Sequence, residues 1–364
     1  MSGTPAQARA WGEDRERDLI RKGKPTRQRK VMTVAEFAPL YISGHHEASL
    51  HKASGTDAVK RVLEVHILPF LAALQLDQVK DEVVAMLRAT WLKGGYETTA
   101  TGGRTRTRTI AGTSNRKTHN NRLSVLSAML KVAVDWHGKT GLLAMPCRIK
   151  LNRVDVAREP AFYDHGDYER LVVAAGVLDH RLLAALLLAG DAGLRRGEIM
   201  GLDLADVDFA NARITVRRSV WVSRTERVVD EPKGMKRRPV PLTPRLFDAL
   251  KAVRHLRGSR VFYDDAGAEL TPKTLRTWVE RIERQAGLPV TGRIHVMRHT
   301  FCSHGAMAGV PAMTIKDLAR HSSLATTMRY MHLSPSALDD GIAMLDESRK
   351  TGGHPVKATR RGDV

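Results

Sequence analysis

Between residues 32 and 146 apolar side chains return every three or four positions in successive segments, and across residues 147–159 that rhythm stops. Val34, Phe37, Ala38 and Tyr41 form one stripe. Val59, Val62, Leu63 and Ile67 form a second, running from about Thr56 to a kink or stop at Pro69. A third helix is expected over about 79–92. A fourth, from a Ser114 cap, buries Leu123, Leu126, Leu130, Ala133 and Trp136 before Gly138 and Gly141 break it. Such spacing puts each set on one face of an α-helix, so residues 32–146 predict a small all-helical domain. Between Gly94 and Ser114 no apolar period exists, and the stretch reads as a loop in which Arg104, Arg106 and Arg108 alternate with threonines. Arg116, Lys117, Arg122 and Lys131 lie along the fourth helix, as a charged outer face or a surface for a DNA backbone.

Residues 147–159 are polar, basic and unperiodic and read as a linker leading into Pro160. Beyond it, 160–346 predicts a second domain, mainly α with a small antiparallel β-sheet. Helices are expected at Tyr168–Ala175, His180–Ala189, Pro244–Leu256, Pro272–Ala286, His295–Ala308 and Pro311–Arg320. Arg213–Val222 alternates as one strand, and Arg227–Leu242 contains a hairpin. Residues 1–31 read as a basic flexible arm, because Arg21–Lys30 holds six basic residues and no acidic one. Residues 347–364 read as a disordered basic tail.

Charge narrows the class of partner. Lys plus Arg number 59 against 39 Asp plus Glu, a formal charge of +20. An excess of that size favours a polyanion, since each cation set against a phosphate releases condensed counterions. The bland alternative is a solubilising surface. No run of eighteen apolar residues predicts a membrane span, and no secretory signal opens the chain. Two distant cysteines, Cys147 and Cys302, suggest neither a disulfide framework nor a zinc site, so a cytoplasmic protein is expected.

Four segments of the second domain carry chemistry. They are Ala192–Glu198 with Arg195, the stretch Glu231–Arg238 with Lys233 and Lys236, His295–His299 with Arg298, and His321–Tyr330. Two guanidiniums can hold non-bridging phosphate oxygens and stabilise the charge on a five-coordinate phosphorus. A tyrosine hydroxyl can attack phosphorus but needs help, its free pKa being about 10. A lysine can protonate the departing sugar oxygen. No acidic cluster has the spacing of a two-metal site, so metal-free chemistry with a protein nucleophile is expected. Each of these residues alone has a commonplace reading as a surface charge, a satisfied histidine or a core tyrosine.

In order and spacing the four segments resemble the tyrosine site-specific recombinase, or phage integrase, family. Gly193-Leu194-Arg195 with Glu198 resembles its Gly-Leu-Arg-x-x-Glu box. His295–His299 resembles His-x-Leu-Arg-His with Met297 in the Leu position. His321 and Tyr330 keep the family's nine-residue interval, with Thr326, Thr327 and His332 matching. Before the linker, His66-Ile67-Leu68-Pro69 and the helix 116–137 resemble the core-binding domain, so the likeness spans roughly 32–346.

The resemblance implies a helical SAM-like core-binding domain and a catalytic domain forming a C-shaped clamp around DNA. It implies phosphate binding by Arg195 and Arg298 and orientation of neighbours by Glu198. Lys233, with Lys236 as alternative, would be the general acid. His295 would assist Tyr330, His321 would bond the phosphate, and Tyr330 would form a 3′-phosphotyrosyl bond without ATP, metal or cofactor. It further implies a homotetramer on double-stranded DNA sites, accessory DNA-bending proteins, a helical segment Pro335–Leu345 docking on a neighbour, and a nucleoid-associated enzyme of prokaryotic or phage origin. Integration or excision of a mobile element is expected first and dimer resolution of chromosome or plasmid second. A type IB topoisomerase and a catalytically silent DNA-binding regulator are the rivals. One departure stands out: Arg320 replaces the family's glycine before His321, where a positive φ would strain it or a further phosphate contact would use it.

Overall fold

The computed structural model describes residues 4–22, 30–49, 53–100, 106–154, 160–222, 227–230, 239–334, 342–343, 345–347 and 349; the side chains of 18–22, 98–100 and 106–108 are outside that description. The chain divides into two units, Met1–Val156 and Ala157–Val364.

In the first unit, α1 (Pro5–Lys22) occupies what the sequence predicts as a flexible arm. Pro5 stands at its first position, where a missing N–H is harmless. Helix-favouring Ala, Arg and Glu follow without an apolar stripe, so periodicity had nothing to register. Next comes α2 (Val34–Tyr41), capped by Thr33, whose hydroxyl accepts from Glu36 N while the Glu36 carboxylate accepts from Thr33 N. α3 (Ala53–Val62) runs through a π-helical stretch, Leu63–Ile67, into α4 (Leu68–Leu71), so the chain is reshaped before Pro69 rather than stopped by it. α5 (Asp81–Lys93) is followed by β1 (Gly94–Ala100) and β2 (Arg106–Ala111), an antiparallel pair where a loop was expected. In sequence its large apolar residues are Tyr96 and Ile110 alone, which is why it carries no apolar signal. Tyr96 anchors it: its ring meets Phe70 edge-on and its hydroxyl lies 2.5 Å from His66 Nδ1.

α6 (Arg116–Asp135), capped by the Asn115 side chain, runs through the core and ends near the one-turn α7 (His137–Thr140). Phe37, Tyr41, Ile67, Trp91, Leu123, Leu126 and Leu130 belong to one buried cluster. Arg122 lies inside it too, with its guanidinium 5.3 Å from the Trp91 ring centre. That corrects the reading of α6's basic residues as one outer face: four-residue spacing from Leu126 puts Arg122 on the apolar side, where it stacks on an indole.

The second unit is built around α9 (His180–Gly190), buried along nearly its whole length. It packs against α8 (His165–Leu178), α11 (Pro244–Ala252) and α13 (Ile294–Met307), with α12 (Pro272–Gln285) beside them. Short α10 (Arg196–Met200) leads to β3 (Val207–Asp208), β4 (Arg213–Thr215), β5 (Ser219–Val222), β6 (Arg227–Asp230) and β7 (Pro239–Pro241). β3, β4 and β7 form one antiparallel sheet, and β5 pairs with β6 in another. The expected single strand 213–222 is therefore two. The break falls at Arg217 and Arg218, which turn out to meet Asp206 and Asp203. The expected hairpin within 227–242 is likewise replaced, since β6 and β7 each pair with an earlier strand. α14 (Ala312–Ala319) and α15 (Leu324–Met328) complete the unit. Among the described residues no helix is long and apolar enough to cross a membrane.

Candidate active site

The end of α9 sets the first piece. Gly193 turns at φ 63°, and a Cβ there would lie 2.7 Å from the Phe301 ring on α13, so only glycine allows this close approach. The turn delivers Arg195 to the start of α10. Glu198, three residues on, reaches back: one carboxylate oxygen accepts from Arg195 N at 2.8 Å and the other from Arg195 Nη1 at 2.8 Å. A carboxylate in the first helical turn suits the exposed N–H groups there.

The C-terminus of α14 sets the second piece. Arg320 N bonds Asp317 O and His321 N bonds Lys316 O, the paired bonds of a Schellman ending, with Arg320 at the left-handed position (φ 55°, ψ 50°). The carbonyls at this ending face the arginines. Arg195 Nη2 donates to Arg320 O at 2.6 Å. Arg298, on α13, donates to Ala319 O through Nη2 and to Gly193 O through Nη1. Both guanidiniums are thus fixed by main chain. Burial, and then repulsion from Arg195, lowers Arg298 to about 10, which leaves it charged at neutral pH.

The third piece is the tyrosine. Tyr330 is only 3% exposed, in a small cluster with Cys302, Ala306, Ile315 and Ala319. Its hydroxyl lies 2.5 Å from His299 Nδ1. The His321 ring stacks on it at 6.2 Å, 10° from parallel, and His321 Nδ1 is 2.8 Å from Thr327 Oγ1. Burial pushes Tyr330 up to about 12, with Arg298 and Arg329 pulling the other way. Burial and neighbouring cations lower His299 and His321 to about 4 each. At neutral pH the imidazoles are therefore neutral, and in the Nε2–H tautomer of His299 its Nδ1 accepts from the phenol.

The structure brings Arg195, Glu198, Arg298, His321 and Tyr330 together. His295 is near: its ring meets His299 edge-on at 4.9 Å. His299, absent from the sequence reading as a site residue, is the histidine that touches Tyr330. Four-residue spacing from His295 on one helix was the available signal. Lys233, Lys236, Arg104, most of Pro335–Leu345 and the tail beyond residue 349 lie outside the described residues, and of Arg106 and Arg108 only the backbone is described. Arg116 and Lys117 open α6 in the other unit and are exposed. Beside the arginines runs an open groove of about 900 Å³, lined among others by Arg195, Arg196, Lys273, Arg293, His295 and His299. Among the described residues no group of three or more His, Cys, Asp or Glu is placed to hold a metal ion.

Residues 162–337 match the model of the phage integrase family. This part of the chain belongs to that family. A tyrosine recombinase XerC-like protein of Caldanaerobacter subterraneus is 27% identical over 212 residues, covering 50% of this chain and 53% of its own. Tyrosine recombinase XerC of Actinobacillus pleuropneumoniae is 30% identical over 161 residues, covering 43% and 48%. The chain thus spans about half the length of the curated relatives it matches. Among solved structures, the Tn1549 transposon integrase in complex with a circular intermediate DNA shares the fold, with a TM-score of 0.65 and 20% identity over 87% of this chain and 99% of that one. The mainly helical integrase fold with small antiparallel sheets follows from this likeness together with the elements above.

Proposed function

We propose that this chain is a site-specific DNA recombinase that cleaves and rejoins strands through a 3′-phosphotyrosyl intermediate at Tyr330. The observation that carries the reading is the meeting of two main-chain-anchored guanidiniums with a histidine-bonded tyrosine in one unit. Membership of residues 162–337 in the phage integrase family supports it.

In this mechanism Arg195 and Arg298 hold the non-bridging oxygens of the scissile phosphate and stabilise the extra charge of the five-coordinate phosphorus. Tyr330 Oη attacks phosphorus as its proton passes to His299 Nδ1. The bond to the 5′ oxygen breaks, and Lys233, or Lys236, protonates that oxygen. His321 supports the phosphate, and His295 backs His299. The 5′ hydroxyl of a partner strand then attacks the phosphotyrosine and returns the proton and the tyrosine to their starting state. One phosphodiester is exchanged for another, so no external energy source enters. The partner is double-stranded DNA, with Arg116 and Lys117 of the first unit on its backbone and four protomers joined on two duplexes.

Integration or excision of a mobile element is the favoured direction. In support, one structural neighbour is described as a transposon integrase on a circular intermediate. Dimer resolution uses the same site, and mapping the covalent adduct on DNA flanking the gene separates the two. With a nicked suicide substrate, the wild-type chain is expected to trap a covalent adduct. Tyr330→Phe is expected to bind the same DNA and trap none, and an adduct at wild-type yield in that variant would reject the reading. Relaxation of supercoils without site preference would point to a topoisomerase instead.

A further inference from the structure

The side chain of Arg320 is 3% exposed, and that of the Glu198 it contacts is 1% exposed. Its Nη2 donates to Glu198 Oε2 at 2.5 Å, while Glu198 Oε1 accepts from Arg195 Nη1 at 2.8 Å. One buried carboxylate therefore ties two guanidiniums together, from the ends of α14 and α9. Arg320 Nε and Nη1 are buried and have no protein partner. An arginine in a left-handed backbone position, with two donors unused, is expensive on both counts.

We propose that Arg320 is a positioning residue of the phosphate site: it clamps Glu198, and Glu198 in turn fixes the approach of Arg195 to the scissile phosphate. The inference rests on the recombinase reading for its consequence in DNA cleavage, but the clamp itself does not. Its charge fits the same chemistry. Arg195, Arg298 and Arg320 set three positive charges against the one of Glu198, an excess of two that a five-coordinate phosphorus with two charged oxygens neutralises.

The groups facing Glu198 are Arg195 at the head of α10, Arg320 at the end of α14, and Arg298 and His295 on α13. Burial alone would raise the Glu198 carboxyl, but Arg320, followed by Arg195, outweighs it and holds the group below the usual carboxylate range. Without Arg320, Glu198 is expected to take up a proton at higher pH and to release Arg195 when it does.

Arg320→Gly tests this on the full chain, because glycine takes the left-handed position without strain and the helix ending needs only backbone there. Two readouts are followed from pH 4 to 8. One is the Glu198 carboxyl by carbon-13 NMR, assigned with Glu198→Gln. The other is single-turnover cleavage of a suicide substrate beside DNA affinity. The expected results are a Glu198 titration moved to higher pH and cleavage slowed about 100-fold at neutral pH, the scale of a misplaced catalytic group. DNA affinity should change far less, the slowing should deepen as pH falls, and Arg320→Lys should recover part of the rate. An unchanged Glu198 titration, or wild-type cleavage in Arg320→Gly, overturns the proposal. A shifted titration in a chain whose wild type traps no adduct would uphold the clamp and reject the recombinase reading.

Discussion

Tyr330 and His299 are tuned in opposite directions, the phenol up to about 12 and the imidazole down to about 4, both chiefly by burial. In the free chain the proton therefore stays on the tyrosine. An incoming phosphate changes that balance, because its negative charge favours an imidazolium beside it. His299→Ala is expected to slow single-turnover cleavage by about 10²- to 10⁴-fold, the usual range for a general base, with DNA binding retained. Equal loss of binding and cleavage would argue for a structural histidine instead. Arg195→Ala is expected to reduce cleavage much more than affinity, since its charge matters most as phosphorus becomes five-coordinate. At this scale the sequence order and spacing identified Arg195, Arg298, His321 and Tyr330 as a group that the fold does bring together. They did not reveal His299, because a box motif records which positions match and not which nitrogen faces the hydroxyl. Nor did they reveal what Arg320 contacts, since its partner is 122 residues away.

Elements position these groups through a few polar anchors. Glu283 on α12 is fully buried, and its carboxylate accepts from Thr291 N, Gly292 N, the Thr291 hydroxyl and the Tyr163 hydroxyl. It thereby fixes the turn from which α13 carries His295, Arg298 and His299. Glu283→Ala strips a partner from two N–H groups and two hydroxyls on exposed or half-buried residues, and is expected to lower stability by about 1–3 kcal/mol in all. Urea unfolding of the full chain measures it, and a loss under 1 kcal/mol would contradict the anchoring role. The helices around the site were legible because Leu182–Ala189 and its neighbours bury apolar stripes. Elements without a buried face were not: α1 and the Tyr96 hairpin carry polar sequences that no periodicity marks. Arg122 shows the reverse error, a charge assigned outward by type although its register beside Leu126 turns it inward.

For the whole molecule, charge and burial make two further predictions. A chain of +20 that uses cations against phosphates should lose DNA affinity steeply with salt, by roughly 10³-fold or more between about 50 and 200 mM if six or more phosphates are contacted. A nearly flat dependence, read by fluorescence anisotropy, would remove the backbone-binding picture. Stability should also fall in mild acid. His66, His299 and His321 are each lowered by burial to about 4, against about 6.5 when exposed. Between those values the unfolded chain binds protons that the folded chain refuses, so their contribution is complete above about 6.5 and is lost as pH falls toward 4. A melting temperature that stays level from pH 7 to 4.5 would contradict this. Charge and motif order carry the proposed partner and chemistry, whereas the two-unit division rested on composition between Cys147 and Pro160. The most direct test of the central claim is mass spectrometry of the peptide carrying DNA after suicide-substrate trapping. A 3′-phosphonucleotide on Tyr330 is the result expected; the nucleotide on any other residue would contradict it.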